Sequence, residues 1–97
     1  MNNFRSYSLA KSLYQQCKNQ PVKGAVRDQL LRASLSVCLN LVEGSAKPTQ
    51  KDRARFYAIA LGSIRETQAI IELESLPLSK EADVLGAHVY RLLESVS

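Results

Sequence analysis

Three prolines constrain this chain more than any other feature. Pro21, Pro48 and Pro77 each sit among breaking residues, and together they divide the 97 residues into four lengths. Proline lacks the backbone donor that a helix interior or a central strand needs, and it pushes the preceding residue out of helical geometry. Within each length, apolar residues recur at helical rather than alternating spacing, which predicts helices near 3–17, 25–46, 50–75 and 80–96. The expected fold is all-α, an antiparallel four-helix bundle forming one domain over 1–97. Composition agrees, since the apolar share is 45% and the aromatic share 6%, with Leu, Ile, Val and Ala supplying the bulk.

The first helix carries one stripe, Leu9, Ala10, Leu13, Tyr14 and Cys17. Thr49 with Asp52 three residues on forms a capping-box-like start for the third helix. There Phe56, Ile59, Ala60, Ser63, Ile64, Thr67, Ile70, Ile71 and Leu73 are expected to fill a broad buried arc. Leu76-Pro77-Leu78 breaks that helix, and Ser79 is the expected cap of the fourth.

The second helix is apolar on two sides. Val26, Leu30, Ala33, Val37, Leu41 and Gly44 form one face; Leu31, Leu35, Cys38, Leu39 and Val42 form another nearly opposite. A helix apolar on two sides must be covered on two sides, which one short-helixed protomer does only in part. Self-association into a homo-oligomer larger than a dimer is therefore expected.

Glu66 falls inside the apolar arc of the third helix, and its charge needs a partner if that arc is buried. One antiparallel register of the second and third helices pairs Glu66 with Arg32, sets Glu43 against Arg55, and brings Ser36 to Gly62, where two small residues would allow close approach. These pairs read as a structural lock on register. A catalytic pairing of Glu43 with Glu66 is disfavoured, because the register separates them by roughly 15 Å along the bundle.

Charge is asymmetric. Residues 1–65 hold eleven Lys and Arg against three acids, whereas residues 66–97 hold two against six. Lys47, Lys51 and Arg53 crowd the turn between the second and third helices, and Lys18, Lys23 and Arg27 crowd the turn between the first and second. Such clusters suit phosphate contact, with steep salt dependence and no sequence-specific reading.

No catalytic machinery is expected. His88 is alone among Val84, Leu85, Val89 and Leu92 and reads as a core-edge histidine; Cys17 and Cys38 lie in apolar patterns and read as small hydrophobes. There is no metal-ligand spacing, no Gly-rich phosphate loop and no nucleophile elbow, so neither a metal nor a cofactor is expected. The opening MNNFRSYSLAK lacks the apolar core of a signal peptide, and no stretch is long and apolar enough to span a bilayer. The expected location is the cytoplasm, with no membrane partner.

Three motifs carry a resemblance: Gln29-Leu30-Leu31-Arg32-Ala33-Ser34, then Asn40-Leu41-Val42-Glu43-Gly44, then the run from Phe56 through Ala60-Leu61-Gly62-Ser63 to Glu66. Together they resemble the bacterial four-helix bundle family first found encoded in intervening sequences of 23S ribosomal RNA genes. The resemblance implies a bundle that assembles into a ring, commonly a pentamer. It also implies kinship with the accessory protein of diversity-generating retroelements, a basic bundle that binds nucleic acid and a reverse transcriptase. The leading functional expectation is thus a non-enzymatic, oligomeric module that contacts structured RNA or other nucleic acid. The alternative is a protein adaptor that docks a polymerase-type or other partner, with Glu66, Glu72, Glu74, Glu81 and Asp83 as an acidic receiving sector.

Overall fold

The computed structural model describes residues 2–97, with side chains from residue 4 onward. Four helices make up the chain: α1 (Asn2–Lys18), α2 (Gly24–Ser45), α3 (Gln50–Leu73) and α4 (Ser79–Ser95). No strand occurs among the described residues.

Local chemistry sets the helix ends. Thr49 is extended, and its hydroxyl accepts the Asp52 N–H at 3.2 Å, satisfying one of the free donors that open α3. At the other end Ser75 takes a left-handed φ of 54°. There the Ser75 N–H donates to the Glu72 carbonyl at 3.2 Å and the Leu76 N–H to the Ile71 carbonyl at 2.9 Å. These two bonds are the Schellman arrangement, with buried Leu76 supplying its apolar contact. They close α3 at Leu73, two residues before the expected end. Ser79 does not cap α4. It is the first helical residue, while Leu78 holds the cap position without a side-chain bond and its carbonyl accepts the Ala82 N–H at 3.1 Å.

Each helix packs on two neighbours, α1 and α3 both lying against α2 and α4, while the diagonal pairs do not touch. Side-chain contacts fix the directions. Arg32 meets Glu66 while Ser36 meets Ser63, so α2 and α3 run oppositely, and Asp83 meets Gln68 while Gly86 lies under Arg65, so α3 and α4 do as well. The α1–α2 and α3–α4 turns therefore share one pole, and the α2–α3 turn lies at the other.

Leu13, Leu30, Leu41, Ile64, Ile71 and Leu85 are the largest side chains of a core that draws on all four helices. Truncating one of the leucines to Ala would cost about 2–5 kcal/mol through lost burial and a residual cavity. Buried hydroxyls are satisfied locally: Ser34 Oγ donates to the Leu30 carbonyl and Thr67 Oγ1 to the Ser63 carbonyl, each at 2.8 Å.

The closest α2–α3 approach is not at Ser36 and Gly62. Ser36 shares a hydrogen bond with Ser63 at 2.8 Å, and Gly62 faces open space. The close approach lies at Gly44, where a Cβ would fall 2.7 Å from Cε1 of the buried Tyr57 ring.

Candidate functional site

On α2, the face of Leu30, Ala33, Val37, Leu41 and Gly44 is buried. Its second face divides. Cys38 is buried and Leu31 is half-buried against the core, whereas Leu35, Leu39 and Val42 are 38%, 58% and 51% exposed. Their spacing of four and three residues makes one continuous apolar stripe on the helix exterior. On α3, Ile59 and Leu73 depart from the expected buried arc, being 45% and 78% exposed. The arc drawn from spacing was wider than the surface α2 and α4 cover, and these two residues stand on its outer edge.

The polar pairs separate into one that meets and one that does not. Arg32 Nη2 lies 3.0 Å from Glu66 Oε2, and Arg32 Nε also donates to Gln29 Oε1 at 3.0 Å. Both charged side chains are just over half exposed, 52% and 54%, so Glu66 is not a buried charge. The expected Glu43–Arg55 pair is replaced. Glu43 Oε2 takes Lys47 Nζ at 3.1 Å, one turn along its own chain, and the Arg55 guanidinium stacks over Phe56 at 4.7 Å from the ring centre. A neighbour at i+4 is reached without spanning the helix interface, and an exposed guanidinium gains from the aromatic face.

The two basic clusters occupy opposite poles and differ in what holds them. At the α1–α2 turn, Arg27 Nη1 donates to the Lys18 carbonyl at 3.2 Å, so this cation caps the C-terminal end of α1. Lys18 Nζ sits 5.0 Å from the Tyr14 ring centre, and Lys23 occupies the cap position of α2. This pole also receives Glu72, Glu74 and Glu81 from around the α3–α4 turn.

The α2–α3 turn is different. Arg53 Nε braces it by donating to the Lys47 carbonyl at 2.7 Å, Lys47 Nζ lies 5.1 Å from the Phe56 ring centre, and Lys51 is exposed. Lys51 and Arg53 stand in the first turn of α3, whose sole acid is Asp52. Cations there oppose the helix dipole, a small energetic cost that places positive potential at the pole where backbone N–H groups already supply it.

One further group was invisible to sequence reasoning. His88, partly buried on α4, has Arg91 one turn along its own helix and Arg5 across on α1. Its pKa is held below the usual histidine value, first by partial desolvation and then by repulsion from Arg91 and Arg5. Spacing could suggest His88 with Arg91, but nothing in the sequence joins Arg5 to them. Their proximity comes from the packing of the first helix on the last.

Among the described residues no group of three or more His, Cys, Asp or Glu side chains is placed to hold a metal ion. No helix among them is long and apolar enough to cross a membrane. Residues 4–95 match the family model described as 23S rRNA-intervening sequence protein. Comparisons with curated proteins and with solved structures gave no match.

Proposed function

The chain belongs to the 23S rRNA-intervening sequence protein family, and on that premise we propose that it is a non-enzymatic, cytoplasmic binding module that assembles with copies of itself and contacts structured RNA or another nucleic acid. The observation that carries the proposal is the pole at the α2–α3 turn. Lys47, Lys51, Arg53 and Arg55 gather there around the start of α3, with Arg53 braced against the backbone rather than neutralised by a carboxylate. Such a surface attracts a phosphate backbone without reading base edges. Assembly multiplies it: the exposed Leu35, Leu39 and Val42 stripe supports docking of another protomer, and each added copy brings a further basic pole to one ligand. Five copies is the number the sequence resemblance favours.

A second reading, a protein adaptor, is favoured by the opposite pole. Ala25, Val26, Ile70 and the protruding Leu73 line an apolar cavity of about 230 Å³ beside Glu74, a place for an apolar side chain of a basic partner.

Fluorescence anisotropy with a structured RNA at graded salt separates the two. The expected result is sequence-tolerant binding that weakens steeply with salt, and at least a tenfold loss in Lys47→Gln/Lys51→Gln/Arg55→Gln, which leaves the turn-bracing Arg53 in place. RNA binding unchanged by that triple substitution, or no RNA binding at low salt, would overturn the proposal.

A further inference from the structure

We propose that Arg5, His88 and Arg91, joined across the packed faces of α1 and α4, form a recognition site for a phosphate group. The inference starts from charge without compensation. Arg5 and Arg91 are exposed, and neither has an ion pair or hydrogen bond among the described residues, while the cations of both turns are each engaged locally or stand beside acids. Two guanidinium groups flanking one imidazole, with no carboxylate drawn to them, repel one another in the free protein. A dianionic or monoanionic phosphate between them would remove that repulsion and accept hydrogen bonds from all three side chains.

The surroundings support the same conclusion. The charges that act on His88 are Arg91 from its own helix and Arg5 from α1, both positive. The other helix packed on α4 is α3, and its polar side chains near α4 are committed elsewhere: Arg65 donates to Gln68 at 2.9 Å, and Gln68 to Asp83 at 3.0 Å. Asp83 and Glu94, the carboxylates of α4 nearest to His88 in sequence, are five and six residues away and lie off its side of the helix.

In the free protein the two arginines favour neutral His88; a bound phosphate favours the imidazolium, which then donates from both ring nitrogens. Phosphate affinity therefore rises as pH falls, and one proton is taken up per site. The phosphate can belong to a nucleic-acid backbone, which rests on the function proposed above, or can be free in solution. In the first case α1 and α4 extend the basic pole into a second contact surface, since the α1 N-terminus and the α4 C-terminus lie at the same pole as the α2–α3 turn.

The chain has a single histidine, so its ring resonances in the full-length protein report the site alone. Titrating them from pH 5 to 9 with no ligand, with inorganic phosphate and with a structured RNA provides the test. A phosphate-bearing probe should raise the His88 pKa by about half a unit or more, with affinity about threefold or more higher at pH 5.5 than at pH 8. Arg5→Gln and Arg91→Gln should each remove most of that upward shift, and His88→Gln should remove the pH dependence while leaving binding at pH 8 intact. A rise with RNA only assigns the site to a nucleic-acid backbone; a rise with inorganic phosphate, even where RNA does not bind, keeps the site and discards the nucleic-acid reading. If neither probe moves the His88 titration, or both move it equally in the two arginine variants, there is no phosphate site here, whatever RNA does at the α2–α3 turn.

Discussion

Arg32 and Glu66 meet at 3.0 Å across the α2–α3 interface, yet each side chain keeps just over half its surface in solvent. That combination makes the contact a marker of register rather than a main support of the fold. Solvent screens the attraction, and ordering two long side chains costs entropy. A double-mutant cycle with Arg32→Ala and Glu66→Ala should give a coupling of about 0.2–1 kcal/mol, shrinking in molar salt. The 3–5 kcal/mol that a stranded buried carboxylate would cost is not expected. Urea midpoints at low and high salt measure it, and a salt-independent coupling above about 2 kcal/mol would contradict the exposure of the pair.

Gly44 and Gly62 should respond oppositely to the same added methyl. At Gly44 the new Cβ would fall 2.7 Å from Tyr57 Cε1 and 3.1 Å from Phe56 Cβ, and the Tyr57 ring is buried, so it cannot swing away freely. Gly44→Ala should destabilise by about 1–3 kcal/mol, more than the helix-propensity gain near a helix end returns. Gly62 lies mid-helix with nothing within 4 Å of the added carbon. There Gly62→Ala should stabilise by about 0.5–1 kcal/mol. Urea midpoints that move in the same direction would show the α2–α3 contact is misplaced.

These residues also mark how far the sequence could be read. The four helices were legible because proline and apolar period act locally, and the buried side of α2 was legible because its Leu30, Ala33, Val37 and Leu41 repeat in step. Periodicity gives a direction around a helix but not the width of what covers it, which is why Ile59 and Leu73 were assigned to the core and stand at its edge. A register, once chosen, fixes which residues are level with one another. It does not decide between partners at that level, so Glu43 had Lys47 nearer than Arg55. Gly62 and Ser63 differ by one position, and only the backbone rotation of α3 determines which of them meets Ser36.

Cys17 and Cys38 make stability depend on alkaline pH. Burial raises both thiols above their ordinary value, the leading cause in each case, and burial also raises the Tyr57 hydroxyl, partly offset by Arg53. A group whose folded pKa is raised lends stability that is complete below its unfolded pKa and is lost as pH climbs toward the folded one, because the unfolded chain ionises first. Stability should hold through neutral pH and fall above about pH 8.5–9. Cys17→Ala/Cys38→Ala should flatten the lower part of that decline in urea titrations, leaving the Tyr57 contribution at higher pH. A thiol reagent should label the native protein only as fast as it opens.

Leu39 provides the sharpest test of assembly, because the protomer does not need it. At 58% exposed it stands between Leu35 and Val42 on the outside of α2, so Leu39→Asp removes little from the folded protomer, about 0.5 kcal/mol or less. In an assembly that covers this stripe, the same change puts a carboxylate into an apolar contact and withdraws a leucine whose full burial contributes about 1.5–3 kcal/mol at every interface. Sedimentation equilibrium at micromolar concentration should give the parent protein as a multiple of 10.8 kDa and the variant as the 10.8 kDa protomer. Helical circular dichroism should match between the two, and Gln15→Asp on the exposed side of α1 should leave the assembly unchanged. A parent that sediments as the protomer alone would remove self-association from the proposed function. A Leu39→Asp protein that assembles like its parent would move the interface off the Leu35, Leu39 and Val42 stripe.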